Sequence, residues 1–280
     1  MTGILYIVAT PIGNLGDITA RAVDVLRDAG VIAVEDTRHS RKLLLQFGIA
    51  TPMVALHDFN ESEQVVHLLA RLAEGERVAL ISDAGTPLIS DPGYQLVRQA
   101  QAQGIRVVPV PGACALIAAL SCAGLPTDRF TFEGFLPAKS AARLAVLQAL
   151  RNETRTMIFY EAPHRIVECL VDMEQSFTGG RGITLARELT KTFETILHTT
   201  VGALLETVRG DSNQQKGEIV LVVAGNLEQG GEVDAQALHT LQVLLEEMPL
   251  KQASALAARI TGLKKNLLYE TALQLKFKKD

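Results

Sequence analysis

The chain has 280 residues, 48% of them hydrophobic and 21% charged, which excludes a disordered or fibrous protein and allows one large domain or two modest ones. No apolar run approaches the roughly 20 residues of a membrane-spanning helix, and a net charge of −4 excludes a polycation. Three cysteines, Cys114, Cys122 and Cys169, are odd in number and lack zinc spacing, so they fit buried small residues in a reducing cytoplasm.

In chain order, the start "MTGILYIVATP" lacks the basic opening of a signal peptide and reads as a strand. Runs rich in β-branched residues predict strands over 4–10, 31–36, 52–57, 77–83 and 105–111. Between them, 3.6-residue apolar spacing with glycine near the stop predicts helices over 19–30, 40–48, 62–75 and 94–104. Strand–helix alternation with near-continuous apolar strands predicts a largely parallel sheet covered on both faces. The stretch "DRFTFEGFLPAKSAAR" (128–143) breaks this rhythm. Beyond it, strands over 156–162, 182–189 and 216–225, with "ETILHTTV" between the last two, follow one another with fewer helices. The fold class is therefore α/β, with a largely parallel N-terminal sheet, a mixed C-terminal sheet and a small helical tail. The expected domains are 1–124, 125–228 and 234–280, with "NLEQGGEVD" (226–234) as a polar linker.

The tail reads as two helices broken at Gly262, with Ala258 and Leu268 at the small and core positions of a helix-turn-helix. Lys264 and Lys265 open its second helix. From Pro249 to Asp280 the net charge is +5, leaving −9 on the body. That concentration favours an RNA-gripping appendage over a two-helix cap on the body.

In an open parallel sheet, ligands bind beyond the carboxyl ends of the strands. Three Gly/Pro loops fall there: "ATPIGN" (9–14), "SDAGTPLISDPG" (82–93) and "PVPGACA" (109–115). Glycine admits a ligand to the main chain and proline holds the loop at low entropic cost. The same residues punctuate ordinary turns, but three such loops at one edge point to a shared pocket. GxGxxG and GxxxxGK[ST] are both missing. The loops carry Asp83 and Asp91 and neither lysine nor arginine, which suits a cation or an adenosine better than a phosphate. S-adenosylmethionine has both a sulfonium charge and an adenosine.

These residues resemble the tetrapyrrole-methylase superfamily, and more closely its ribosomal branch, the 16S ribosomal RNA ribose 2′-O-methyltransferases that act on a cytidine of the decoding centre. The blocks "YIVATPIGNLGDIT", "EDTRHS", "SDAGTPLISDPG", "AGLPTDRFTFEGFLPAK", "FYEAPHR", "ARELTKTFET" and "KGEIVLVV" carry the resemblance, in order, from residue 6 to 223. Cys114-Ala115 departs from a small polar residue common among relatives.

The resemblance implies S-adenosylmethionine between two α/β domains, 16S rRNA in the small ribosomal subunit as partner, a homodimer, and neither membrane nor metal. The implied cofactor contacts are Ser82, Asp83, Ala84, Gly85, Thr86, Pro87, Cys114 and Ala115, joined by Pro11 and Gly13 of the first loop. Phe159, Tyr160, Lys216, Gly217, Glu218 and Ile219 would cover the adenine, although Phe159 reads equally well as a core residue. In-line attack by a ribose 2′-oxygen draws on positioning and a proton acceptor. Glu35, Asp36, Glu161 and His164 are the candidates, and the sequence does not choose among them. In "EDTRHSRK", Asp36 or Ser40 caps a helix or Arg38 grips a phosphate. Arg165, Arg187, Lys191, Lys264 and Lys265 complete the expected RNA contacts. A small-molecule methylase of the same fold, a magnesium-dependent phosphate hydrolase and a non-catalytic ribosome-binding factor are the competing readings.

Overall fold

Five short apolar runs pair into the parallel sheet that the alternation predicts. The computed structural model describes residues 3–57, 60–226, 233 and 235–277. The strands are β1 (Ile4–Val8), β2 (Val31–Val34), β3 (Met53–Ala55), β4 (Arg77–Leu80) and β5 (Arg106–Val110), in the order β3-β2-β4-β1-β5. All four pairings are parallel, and β2 is buried at every position, as a sheet covered on both faces requires.

The covering helices set the position of the site. Helices α1 (Ala20–Asp28) and α2 (Thr37–Gln46) place Leu26 and Leu44 against Val8, Ile32 and Val34. Helices α3 (Glu61–Ala73) and α4 (Tyr94–Ala102) place Leu68, Leu72 and Leu96 against Leu5, Ala33 and Leu80 on the other face. Neighbouring β1 and β4 thus send their connections over opposite faces. The departing connections leave a crevice beyond the carboxyl ends, the topological switch point where open α/β sheets bind ligands. Between the two cap candidates for α2, the structure selects Asp36, whose side chain accepts the Arg38 N–H at 2.8 Å.

Two elements escape the sequence pattern. Helix α5 (Ala115–Cys122) is apolar almost all round, so it has no amphipathic stripe to read. Strand β6 (Phe130–Phe135) shifts register between Phe132 and Gly134, where Gly134 has φ +66°. The bulge breaks the alternation that marks a strand.

Strand β6 starts the second sheet, continued by β7 (Thr156–Glu161), β8 (Gly182–Arg187), β9 (Thr195–Thr200) and β10 (Ile219–Val223), in the order β6-β7-β10-β8-β9. Only β6 and β7 run parallel, so the sheet is mixed as predicted. Helices α6 (Ser140–Ala149), α7 (Ile166–Phe177) and α8 (Val201–Gly210) cover one face through Leu147, Leu170 and Leu204 around Phe159 and Leu221. Helix α5, reached from the first sheet, covers the other face against Ile158, Ala186 and Val220.

Among the described residues the tail holds three helices: α9 (Ala235–Glu247), α10 (Leu250–Thr261) and α11 (Lys265–Phe277). The two predicted over 249–276 are α10 and α11, and α9 adds a third. Gly262, at φ +75°, ends α10. Leu268 is fully buried, but Ala257 rather than half-buried Ala258 is the small residue at the centre of the tail's core. Most of the linker read over 226–234 lies outside the described residues, as do Lys278 and Lys279. No described helix is long and apolar enough to cross a membrane.

Candidate active site

The crevice beyond β1 and β4 is roofed by the second sheet into a cleft of about 390 Å³, within the range of small-molecule sites. The first sheet builds its wall from backbone. Thr10 and Gly85 exchange N–H···O bonds of 2.8 and 3.1 Å across the crevice. The Ser82 hydroxyl, buried behind this bridge, donates to the Ala84 and Gly85 carbonyls at 3.3 Å. Thr86 Oγ1 donates to Ala113 O at 3.0 Å, tying the loop after β4 to the loop after β5. Gly85 (φ +85°), Leu88 (φ +72°), Ser90 (φ +65°) and Gly93 (φ +117°) all take the left-handed conformation. For Leu88 and Ser90 that is strain, which persists only where surrounding contacts hold it and which gathers at ligand clamps.

The second sheet supplies an aromatic and ionic wall. Tyr160 lies in the lining with its ring edge-on to Phe132 and Phe135, at centroid distances of 4.9 and 5.6 Å. Its hydroxyl accepts the Leu116 N–H at the start of α5 at 3.2 Å. Burial, before the smaller effects of Cys114 and Asp91, raises its pKa well above the usual phenol value. Gly217 (φ +79°), Glu218, Ile219 and Val220 form the next stretch of wall. It is held by Glu188, whose carboxylate accepts the Glu218 N–H at 2.9 Å, and by Lys191, whose ammonium reaches Glu188 at 2.7 Å and Glu218 at 2.9 Å.

The expected cofactor residues divide. Asp83, Ala84, Gly85, Thr86, Cys114, Ala115, Tyr160, Gly217, Glu218 and Ile219 line the cleft. Ser82 and Pro87 are buried beneath it. Pro11, Gly13 and Lys216 stand off the lining. Gly13 abuts Thr190 and Lys191, where a side chain would collide, so its glycine serves the contact between the loop after β1 and the turn after β8. Phe159 is the clearest correction: it is 0% exposed in the core under α7 and α8. Period two puts Ile158 and Tyr160 on the cleft face and Phe159 on the opposite one.

The acid–base candidates also divide. The Glu161 side chain is 0% exposed; its Oε1 accepts two bonds from Arg165, at 2.6 and 2.9 Å, and one from the Ala162 N–H at 2.7 Å. That oxygen fastens the end of β7 to Arg165 and the main chain. Asp36 is committed to Arg38 and to the helix cap; the side-chain bond from Arg38 chiefly lowers its pKa to about 2, leaving a very weak base. The Asp36 N–H donates to Asp83 at 3.2 Å, which ties the loop after β2 to the cleft. His164 is exposed in the turn beside lining residue Pro163. Glu35, half-buried, acts electrostatically on Asp91.

Three expected RNA contacts are internal instead. Arg165 spends its donors on Glu161 and Leu136 O. Arg187 is 7% exposed and bonds Gln214, Phe193 O and Thr195. Lys191 is held between two carboxylates. Arg38, with a side chain 90% exposed, and Lys264 and Lys265 face solvent.

The cleft also contains Ile12, Ile89, Phe135 and Leu189, which are not among the expected contacts, and Asp91, which the sequence reading places in the pocket loops without giving it a role. Burial first, then Glu35 and Asp83, push the Asp91 carboxyl up to about 6, against a hydrogen bond with Ser82. Among the described residues the lining includes Asp83, Asp91, Glu161 and Glu218 and no lysine, arginine or histidine. Apolar walls, bare backbone and the Asp83 and Asp91 carboxylates fit a ligand that pairs a flat ring with positive charge.

Residues 4–205 match the family profile described as Tetrapyrrole (Corrin/Porphyrin) Methylases, and residues 231–276 match the one described as RsmI C-terminal HTH domain. The Ribosomal RNA small subunit methyltransferase I of Pseudomonas aeruginosa is 62% identical over 97% of this chain and 97% of its own. That of Escherichia coli O157:H7 is 56% identical over 97% of this chain and 95% of its own. Among solved structures, a cobalamin biosynthetic enzyme, cobalt precorrin-4 methyltransferase, superposes with a TM-score of 0.59 over 79% of this chain and 94% of that one. At 18% identity this last likeness speaks to the fold alone.

Proposed function

The chain belongs to the tetrapyrrole (corrin/porphyrin) methylases, within the group of ribosomal RNA small subunit methyltransferases, and on that premise we propose that it methylates the ribose 2′-hydroxyl of a cytidine in the decoding region of 16S ribosomal RNA, with S-adenosylmethionine as donor. The observation that carries the donor assignment is the cleft itself: three backbone loops at the switch point, faced by Tyr160, with carboxylates and no cationic side chain among the described lining residues. When bound there, S-adenosylmethionine supplies a methyl group already activated by its sulfonium charge.

The chain's own residues have the remaining work. Gly85 and the Thr10 bridge keep the floor open to a ligand backbone. Tyr160 and Ile219 offer the faces against which an adenine packs. Asp83 and Asp91 match positive charge. Arg38 on α2 and Lys264 and Lys265 on the tail are exposed cations that suit a phosphate backbone. Holding the hydroxyl in near-attack geometry is the main contribution asked of the protein. We also infer a homodimer. Ile117 of α5 is 50% exposed, and Phe193 and Ile196 at β9 are 73 and 40% exposed. Glu194 acts electrostatically on Cys122 at the end of α5, so the two elements adjoin. Apolar surface of this kind marks association. With ribosomal RNA as substrate, the place of action is the cytoplasm.

The deciding experiment is methyl transfer from labelled donor to small subunits lacking the modification, followed by mapping. Label retained on one cytidine and resistant to alkaline cleavage at its 3′ side identifies a 2′-O-methyl ribose. Label on a base, or on protein, overturns the reading.

A further inference from the structure

We propose that Asp91 accepts the proton of the attacking hydroxyl, and that it does so as the positive charge of the bound donor disappears. This rests on the donor and reaction proposed above and adds the identity of the acceptor.

The argument begins with who faces Asp91. It sits in the lining of the cleft, on the strained loop after β4. Glu35 at the end of β2 and Asp83 after β4 act on it as like charges, Ser82 hydrogen-bonds it, and Tyr160 of β7 feels it across the cleft. Cys114 shares the same wall. Of the other lining carboxylates, Glu161 is paired with Arg165, Glu218 with Lys191, and Asp83 accepts the Asp36 N–H at 3.2 Å. Among the described residues Asp91 has no such cation, and its surroundings hold its pKa near 6, close to the value suited to a general base working near neutrality.

A cation entering the cleft favours the ionised carboxylate. Donor binding therefore readies Asp91 as an anion. In the transfer, the 2′-oxygen forms a bond to the methyl carbon while the carbon–sulfur bond breaks, its electron pair remaining on sulfur. The hydroxyl proton passes to the Asp91 carboxylate and from there to water. One positive charge and one negative charge vanish together, so the half-buried cleft gains no net charge. As the cation is consumed, the like charges of Glu35 and Asp83 again dominate at Asp91 and raise its proton affinity when a proton must be taken.

Two readouts test this. The first needs no turnover. Calorimetry at pH 6, in buffers of different ionisation enthalpy, counts protons released when S-adenosylmethionine binds. Wild type should release on the order of half a proton per site, from a group near half-protonation before binding. S-adenosylhomocysteine, with its uncharged sulfur, should release less, and Asp91→Asn should release none with either. The second is the single-turnover rate on unmethylated subunits at saturating donor. Wild type should rise about tenfold per pH unit at low pH and level off at a pH below about 6, because the bound donor's positive charge lowers the Asp91 pKa. Asp91→Asn should fall on the order of 100-fold or more and lose this limb, while Asp91→Glu should keep a limb at a shifted pH. Proton release unchanged in Asp91→Asn, or a rate within threefold of wild type, overturns the proposal. Donor affinity should itself weaken in Asp91→Asn, by about tenfold for each pH unit by which the bound cation lowers the Asp91 pKa, which is why the rates are compared at saturating donor. If wild type itself neither binds the donor nor methylates subunits, the functional reading fails and not merely this assignment.

Discussion

The two walls of the cleft keep their shape by different means. The parallel-sheet wall is fastened through main-chain oxygens: Thr10 to Gly85, Thr86 to Ala113, Ser82 to Ala84. The mixed-sheet wall is held by ionised side chains: Glu161 with Arg165, and Lys191 with Glu188 and Glu218. The first arrangement leaves main chain bare for a ligand. The second consumes the charges of that half internally, so polar residues beside the cleft are not thereby substrate contacts. A buried or half-buried arginine next to a cleft is a substrate contact only if its donors are not already spent inside the protein.

The largest effect should come from cutting an ionic fastening. Arg165→Met leaves the Glu161 carboxylate, 0% exposed, without its cation. Removing one partner of a buried pair costs about 3–5 kcal/mol. Urea unfolding should show that loss, and adding Glu161→Gln to Arg165→Met should restore much of it. A fall in RNA affinity at unchanged stability would instead make Arg165 an RNA contact after all.

A smaller effect is expected from the backbone wall. Gly85→Val forces a β-branched residue to φ +85°, with its Cβ 3.2 Å from Ile12 Cγ2. Backbone strain of that kind costs about 1–3 kcal/mol, and the new methyl groups occupy the cleft floor. Titration calorimetry should show S-adenosylmethionine binding at least tenfold weaker, about 1.4 kcal/mol. Unchanged binding would reduce the loop to a structural turn.

This comparison also explains how much of the site is legible in the chain. The backbone wall is legible because its signals are local: Gly and Pro crowd the ends of β1, β4 and β5, and strand–helix alternation places those ends on one edge. The ionic wall is not. "EAPHR" displays Glu161, His164 and Arg165 together, yet only the fold shows that the glutamate turns inward and takes the arginine with it. Arg187 ends a strand buried at its last five positions, and its partners come from the turn before β9 and from Gln214. Strand parity separates Phe159 from Tyr160 once one of them is known to face the ligand. Asp91 stands in a legible motif, but its raised pKa depends first on burial in the folded cleft and then on Glu35, from the loop after β2. No local pattern carries that. Helix α5 and strand β6 escape for the converse reason, an apolar surface too uniform in one and a bulge in the other.

The smallest effect, and the sharpest contrast with the ionic wall, concerns cations that fasten nothing. Lys264 and Lys265 are exposed where α10 gives way to α11. Neither should matter to the fold, because a surface lysine away from special features changes stability by about 0.5 kcal/mol or less. Lys264→Ala with Lys265→Ala should therefore leave urea unfolding and donor affinity unchanged. It should weaken binding to unmethylated subunits more at low salt than at high salt. Removing one lysine from a phosphate lowers the slope of log affinity against log salt by about one, so the double variant should reduce it by up to about two. Arg165→Met should move stability and leave that slope alone. If both variants moved the same quantity, the division between fastening charges and reaching charges would be wrong. A slope unchanged by the double variant would place the RNA elsewhere, with exposed Arg38 after β2 the next residue to remove.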